Sequence, residues 1–215
     1  MQQDADEMED QDLTRALEMR ARARKLFLRA WDYGLRGLDV KHKGFSSALR
    51  EGPKETVRAL TKQDVPLVFW TAAAWGAAIS LAKDSPGMVA DQPVVEALMD
   101  RALELDERYA DGAIHGFLIT YETSRQGANG DAAAKSPPHF ERVVELTGGR
   151  LASPYIARAE ALSVQKQNRA EFGSLLRQAL EIDPNAKPEY RLADLIMQRR
   201  ARWLLAKADQ LFAEE

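Results

Sequence analysis

The sequence predicts an all-α protein, an irregular array of helical hairpins packed around one buried apolar helix. Apolar residues recur at the three- and four-residue spacing of an amphipathic helix along most of the chain. Proline and glycine fall where such helices would begin and end. No segment shows the convincing alternation of apolar and polar residues that marks a strand.

Composition narrows the classes of function. The chain has 215 residues, 45% hydrophobic and 29% charged, which is typical of a globular protein able to bury a substantial core. A net charge of −3 and an isoelectric point near 5.8 argue against nucleic acid as a partner. With no cysteine, the chain cannot form disulfides, zinc–thiolate sites or a cysteine nucleophile.

The N-terminal end predicts a disordered acidic leader over residues 1–12, followed by a single helical domain over residues 13–215. The leader carries six acidic residues and no basic one, and it does not resemble a signal peptide. From Leu13 the pattern becomes helical and strongly basic, which indicates a solvated face, with anion binding as the alternative. Gly34 and Gly37 in this helix favour close approach of another backbone.

The central helix is predicted at Val65–Ala82, eighteen residues without a charge. It would be about 27 Å long and apolar on every side, so it lies either in a protein core or in lipid. Its length only just reaches the range of a membrane span, and half of its residues are alanine, glycine, serine or threonine. Small residues on several faces favour burial among closely packed neighbouring helices.

The rest of the chain alternates helices with turns. Residues 83–93 are predicted as a loop, and Pro93 opens the next helix. Residues 124–138, rich in glycine, serine and proline, are predicted to be the longest loop. Ser153 and Pro154 read as the cap and first residue of a later helix.

Three segments repeat one local pattern, a helix ending in aliphatic–Glu–aliphatic, a short turn and a second helix. Aligning Leu105, Leu146 and Ile182 gives spacings of 41 and 36 residues. The strings ALELD and ALEIDP resemble the second helix and exit turn of tetratricopeptide repeats, whose period is about 34. The pattern predicts degenerate helical-hairpin repeats, with a helix bundle of coincidental spacing as the alternative. Such arrays commonly bind another protein or a peptide.

Residues able to carry chemistry are scattered, so no catalytic residue, metal site or cofactor is predicted, and we expect the protein not to be an enzyme. His115 lies inside a helix, where a structural histidine is the usual finding, and Glu122 ends that helix on the same face. A catalytic site at these two residues is the least favoured hypothesis. The aromatic residues of two apolar helices either fill a core or line an apolar groove. The candidate ligand- or partner-binding residues are therefore Phe69, Trp70, Trp75, His115, Phe117, Tyr121 and Glu122.

Several longer strings are similar to one protein family. FWTAAAWGAAISLAKDSP, ADQPVVEALMDRALELDERYADGAIHGFLITYE, HFERVVELTGGRLASPYIARAEALSV and LADLIMQRRARWLLAKADQLF resemble the T component of TRAP (tripartite ATP-independent periplasmic) transporters, the TatT-like proteins. The likeness runs from about Leu26 to Phe212.

The resemblance implies a periplasmic, lipid-anchored, non-catalytic helical protein that forms homotrimers and binds the substrate-binding P component of the transporter. It also implies an apolar cleft that passes a hydrophobic ligand. The signal peptide and lipobox cysteine of a lipoprotein precursor do not occur in this sequence. The alternative is a generic repeat protein that docks another protein and has no role in transport.

Overall fold

The computed structural model describes residues 1–125 and 132–213, and those ranges contain helices and turns but no strand. The predicted all-α class is therefore confirmed. The chain divides into two compact units, Met1–Tyr109 and Ala110–Glu215, which are described separately below. A single domain over residues 13–215 and tetratricopeptide-like repeats both stay predictions.

The first unit is built on two long helices, α2 and α5, and α5 also packs against α7. Short 3-10 turns at Val57–Ala59 and Lys62–Asp64 lead into α5. The helices of this unit are α1 (Gln2–Met8), α2 (Leu13–Lys41), α3 (Phe45–Glu51), α4 (Pro53–Thr56), α5 (Val65–Ser80), α6 (Pro86–Val89) and α7 (Gln92–Asp106).

The acidic N-terminus differs from the predicted disordered leader, because residues 2–8 form α1 and pack against α2. Arg20 of α2 donates hydrogen bonds to Asp6 Oδ1 at 2.8 Å and to Glu9 Oε2 at 2.6 Å. Ala5 and Ala16 are fully buried. The acidic residues of the leader are therefore paired with an arginine of α2, and the buried alanines add a small apolar contact between the two helices. The composition of the leader alone does not reveal these contacts with α2.

Two glycines bring α2 against α5. A Cβ atom at Gly34 would lie 2.2 Å from Thr71 Oγ1, and one at Gly37 would lie 3.1 Å from Leu67 Cδ2. Thr71 Oγ1 itself donates to the carbonyl oxygen of Leu67 at 2.6 Å, which fixes the side chain against its own helix. The absence of a side chain at Gly34 therefore sets the distance between the two helices, as the sequence predicts.

Asp64 joins the end of α2 to the start of α5. Its buried carboxylate accepts hydrogen bonds from Lys41 Nζ at 3.0 Å and from the backbone N–H and hydroxyl of Thr61 at 2.9 Å, and His42 Nε2 lies 3.2 Å away. Burial alone would raise the pKa of Asp64. The hydrogen bonds from Thr61, Lys41 and His42 outweigh burial and hold that pKa well below its usual range.

We expect Asp64→Asn to lower the free energy of unfolding at neutral pH by about 1.5–3 kcal/mol, the usual contribution of hydrogen bonds to a charged group. A carboxylate with a depressed folded-state pKa stabilises the fold above its unfolded pKa and loses that effect as the pH falls. The wild type should therefore lose stability between about pH 4 and pH 2 more steeply than the variant. Urea unfolding at pH 7, 4 and 3 measures the difference.

The matched control for Asp64→Asn is Asp84→Asn, which changes an exposed acid of the same unit. A similar loss of stability in both variants at pH 7 would contradict the role assigned to Asp64.

The second unit contains the remaining helices. Pairs α8–α9 and α11–α12 pack together, and α10 contacts α8, α9, α11 and α12. The helices are α8 (Ala113–Ser124), α9 (Ala132–Thr147), α10 (Ser153–Arg158), α11 (Arg169–Glu181), α12 (Arg191–Ala206) and α13 (Ala208–Leu211), with a π-helical turn at Ala159–Ser163 after α10.

The loop predicted over residues 124–138 is shorter in the structure. Residues 126–131 lie outside the described part of the chain, and α9 already begins at Ala132 and includes Pro137 and Pro138. Ser136 is fully buried and donates to the carbonyl oxygen of Ile119 in α8 at 2.9 Å. Packing against α8 therefore overrides the loop preference of the two prolines.

Candidate functional site

The predicted site residues fall in different units. Phe69, Trp70 and Trp75 lie on α5 of the first unit, whereas His115, Phe117, Tyr121 and Glu122 lie on α8 of the second. The packing of these two aromatic helices near each other stays a prediction. Each group is described within its own unit.

The two tryptophans of α5 have opposite environments. Trp75 is 7% exposed and stacks on Trp31 of α2, with 4.8 Å between the ring centroids and 14° between the planes. Phe69 is also buried and lies against Tyr109. Trp70, by contrast, is 66% exposed. One side of α5 therefore faces solvent, although its apolar sequence predicts burial all round.

The exposed side of α5 and the adjoining side of α2 enclose an apolar groove of about 490 Å³. Its floor consists of small residues from both helices, Ala30 and Gly34 of α2 with Ala73 and Ala74 of α5. Small side chains leave open volume where two helices lie this close together. The groove therefore follows from the same residues that allow the close helix contact.

Aromatic and aliphatic side chains form the walls of this groove. Phe27 and Tyr33 stand on α2, while Leu67 and Trp70 stand on α5. The remaining lining residue, Thr71, directs its hydroxyl to the carbonyl oxygen of Leu67. The interior of the groove is thus apolar, which suits a hydrophobic ligand or an apolar side chain of a partner.

One wall of the groove is positively charged on its outside. The guanidinium carbon of Arg36 lies 4.5 Å from the ring centroid of Tyr33, and that of Arg29 lies 5.6 Å away. Arg29 also donates a hydrogen bond to the Tyr33 hydroxyl at 3.4 Å. This hydrogen bond and the charge of both arginines lower the pKa of Tyr33.

Sequence reasoning identified Trp70 but missed the residues that α2 contributes to the groove, Phe27 and Tyr33 among them. Both lie in a basic helix whose outer face was interpreted as simply solvated. The available signal was the pair of small residues Ala30 and Gly34, spaced four apart and next to the aromatics.

The candidate residues on α8 form a partly polar cluster with α9. His115 Nδ1 lies 2.9 Å from His139 Nδ1, so one ring donates and the other accepts. Burial lowers the pKa of His139, the charge of His115 lowers it further, and Glu122 acts in the opposite direction. Glu122 accepts a hydrogen bond from Arg125 Nε at 3.1 Å, and Lys135 Nζ lies 4.0 Å away.

The aromatic pair of α8 is stacked within its own helix. The ring centroids of Phe117 and Tyr121 are 5.2 Å apart with 22° between the planes, and Tyr121 is buried. His115 and Glu122, which share a helix face, are engaged by different partners, His139 and Arg125. These contacts join α8 to α9 and close the end of α8.

Two properties of the described residues bear on function. Over residues 1–125 and 132–213, no group of three or more histidine, aspartate or glutamate side chains is arranged to hold a metal ion. In the same part of the chain, no helix is both long and apolar enough to cross a membrane.

The fold and the groove define a class, an all-α protein that presents an apolar groove between two long helices. Comparison with known proteins identifies the family. The model of the TRAP transporter T-component family (TAtT) matches residues 1–212, so the chain belongs to this family. The resemblance found in the sequence is thereby confirmed.

A relative from Treponema pallidum (strain Nichols), itself uncharacterized, is 28% identical over 201 residues. The alignment covers 92% of this chain and 62% of the relative, so the chain spans less than two thirds of the relative's length. Family membership indicates a periplasmic or membrane-associated location.

Proposed function

We propose that this protein is the non-catalytic scaffold of a tripartite ATP-independent periplasmic transporter and that it binds the substrate-binding P component. In this proposal it works as a homotrimer in the periplasm, lipid-anchored in its precursor, and its groove between α2 and α5 receives a hydrophobic ligand. Family membership supports the partnership with other transporter components. The apolar groove carries the part of the proposal that concerns the ligand.

The exposure of Trp70 is the observation on which ligand binding depends. A large aromatic ring left 66% exposed beside an apolar groove is costly for a surface that stays in water, and it is favourable where a ligand or partner covers it. Trp70 also stands at the edge of the groove, where it can contact a ligand lying on the floor of small residues.

Binding of the neutral apolar dye N-phenyl-1-naphthylamine tests the groove. We expect the wild type to enhance the dye's fluorescence and Trp70→Ala to weaken dye binding about ten- to hundredfold, since burial of one aromatic side chain contributes roughly 1.5–3 kcal/mol. The matched control is Leu192→Ala, which truncates another exposed apolar residue, on α12 of the second unit. Equal dye affinity in wild type and Trp70→Ala would contradict a ligand site in the groove.

Size-exclusion chromatography with light scattering tests the proposed homotrimer and its binding to the P component. We expect the protein to run as a trimer and to shift to a larger complex when mixed with the substrate-binding P component of its transporter. A monomer that shows no shift would contradict both the assembly and the partner.

The alternative function, a helical module that binds another protein without a role in transport, is favoured by the exposed face of α12. Leu192 is 72% exposed, and Leu195 and Ile196 are exposed beside it. A row of aliphatic side chains on a surface helix is typical of a protein interface. Failure to bind the P component would support this alternative.

A further inference from the structure

We infer that the ligand of the groove between α2 and α5 is an amphiphile with an anionic head group, whose tail lies on the floor of small residues and whose head group lies beside Arg29 and Arg36. This inference rests on the proposed function, because it assigns a chemical class to the ligand of the same groove.

The interior of the groove selects an apolar tail. Its floor is formed by alanine and glycine, and its walls by Phe27, Leu67, Trp70 and the ring of Tyr33. The hydroxyl of Thr71 is already used within its own helix. A polar group placed on this floor would therefore lose its hydrogen bonds to water without replacement, which is unfavourable. A hydrocarbon tail carries no such penalty.

The rim of the groove selects the sign of the head group. The guanidinium groups of Arg29 and Arg36 lie against the ring of Tyr33, and both arginines are exposed. The Tyr33 side chain, which also lines the groove, is half-exposed. Asp32 Oδ2 lies 3.8 Å from Arg36 Nη1 and offsets part of the positive charge of Arg36. Because Arg29 and Arg36 carry two positive charges and Asp32 only one negative charge, the rim keeps a net positive charge. The described residues that line the groove are uncharged.

An anionic head group fits this rim better than a neutral or cationic one. A carboxylate, sulfate or phosphate can accept hydrogen bonds from guanidinium groups in a bidentate geometry. A quaternary ammonium would meet two positive charges, and a neutral hydroxyl would gain little from them. Arg29 and Arg36 thereby acquire a specific role within the basic helix α2, whereas Arg20 of the same helix pairs with Asp6 and Glu9.

Isothermal titration with single-chain amphiphiles, each at concentrations at which it is monomeric in solution, tests the inference. The probes are decanoate, 1-decanol and decyltrimethylammonium, which share a ten-carbon tail and differ in charge. Because each exposed ion pair contributes up to about 1 kcal/mol, we expect decanoate to bind up to about fivefold more tightly per arginine than decanol. Decyltrimethylammonium should bind most weakly.

The double variant Arg29→Gln/Arg36→Gln should abolish the preference for decanoate and leave the affinity for decanol unchanged. Raising the salt concentration to about 1 M should also reduce the preference, because exposed charges are screened at that ionic strength. The matched control is Arg24→Gln, an exposed arginine of α2 that points to another face of the helix, and it should bind all probes as the wild type does.

The outcomes separate this inference from the proposal on which it rests. Equal affinity for decanoate and decanol, or tighter binding of decyltrimethylammonium, would overturn the anionic head group and leave a hydrophobic ligand site in place. Binding of none of the three probes would overturn the ligand site itself.

Discussion

Trp75→Ala is expected to destabilise the first unit by about 3–5 kcal/mol, the range for removing a large aromatic side chain from a core. Trp75 is almost completely buried and stacks on Trp31, so its removal leaves a cavity between α2 and α5 and an indole without its stacking partner. The helices cannot close this cavity, because Gly34 and Thr71 already hold them in contact. Urea unfolding followed by far-ultraviolet circular dichroism measures the loss.

Trp70→Ala, on the same helix, is the matched control for stability. The ring of Trp70 is mostly exposed, so we expect a change within about 0.5 kcal/mol, as for most surface substitutions. Equal losses in the two variants would show that Trp70 is part of the core and would remove the groove as a ligand site. A small loss in Trp75→Ala would instead contradict the close packing of α2 against α5.

The contrast between Trp75 and Trp70 shows what the sequence of α5 could not predict, namely which side of the helix is buried. The pattern predicted a helix from Val65, and the structure begins α5 at that residue. Periodicity identifies the covered side of a helix by the contrast between polar and apolar faces. Because α5 has no polar face, its sequence could not indicate that Trp75 lies in the core while Trp70 lies at the surface.

The elements that were wrongly predicted share one cause, a long-range contact that overrides a local preference. The acidic residues of α1 suggested disorder, but Asp6 of α1 has a basic partner in Arg20, fourteen residues further along the chain. Pro137 suggested a loop, yet Ser136 and its bond to Ile119 hold that segment in α9. Local composition carries no information about such contacts.

The groove could be predicted only in part for the same reason. Trp70 was identified as a candidate from its aromatic character, but a groove needs two helices in a particular register. That register follows from the placement of Gly34 opposite Thr71, a pair of residues thirty-seven apart in sequence. The glycine was recognised as permitting close packing, whereas its partner was not recognisable from the sequence.

Gly34→Ala is expected to destabilise the protein by about 1–3 kcal/mol, as overpacked cores usually are. An added Cβ would lie 2.2 Å from Thr71 Oγ1 and 2.9 Å from Thr71 Cβ, so either Thr71 breaks its bond to Leu67 or α2 moves away from α5. Either change also alters the floor of the groove. Thermal unfolding and binding of N-phenyl-1-naphthylamine, measured on the same sample, report both effects.

The same substitution at Gly116 of α8 is the control, because nothing lies within 4 Å of a Cβ atom added there. Alanine favours a helix over glycine by about 0.5–1 kcal/mol, so Gly116→Ala should stabilise the protein by that amount. The expected changes in stability therefore have opposite signs, a loss for Gly34→Ala and a gain for Gly116→Ala. This difference distinguishes the effect of packing from the effect of helix propensity. If Gly34→Ala stabilised the protein as well, the approach of α2 to α5 would be looser than the structure has it, and the groove between them would lose its defined floor.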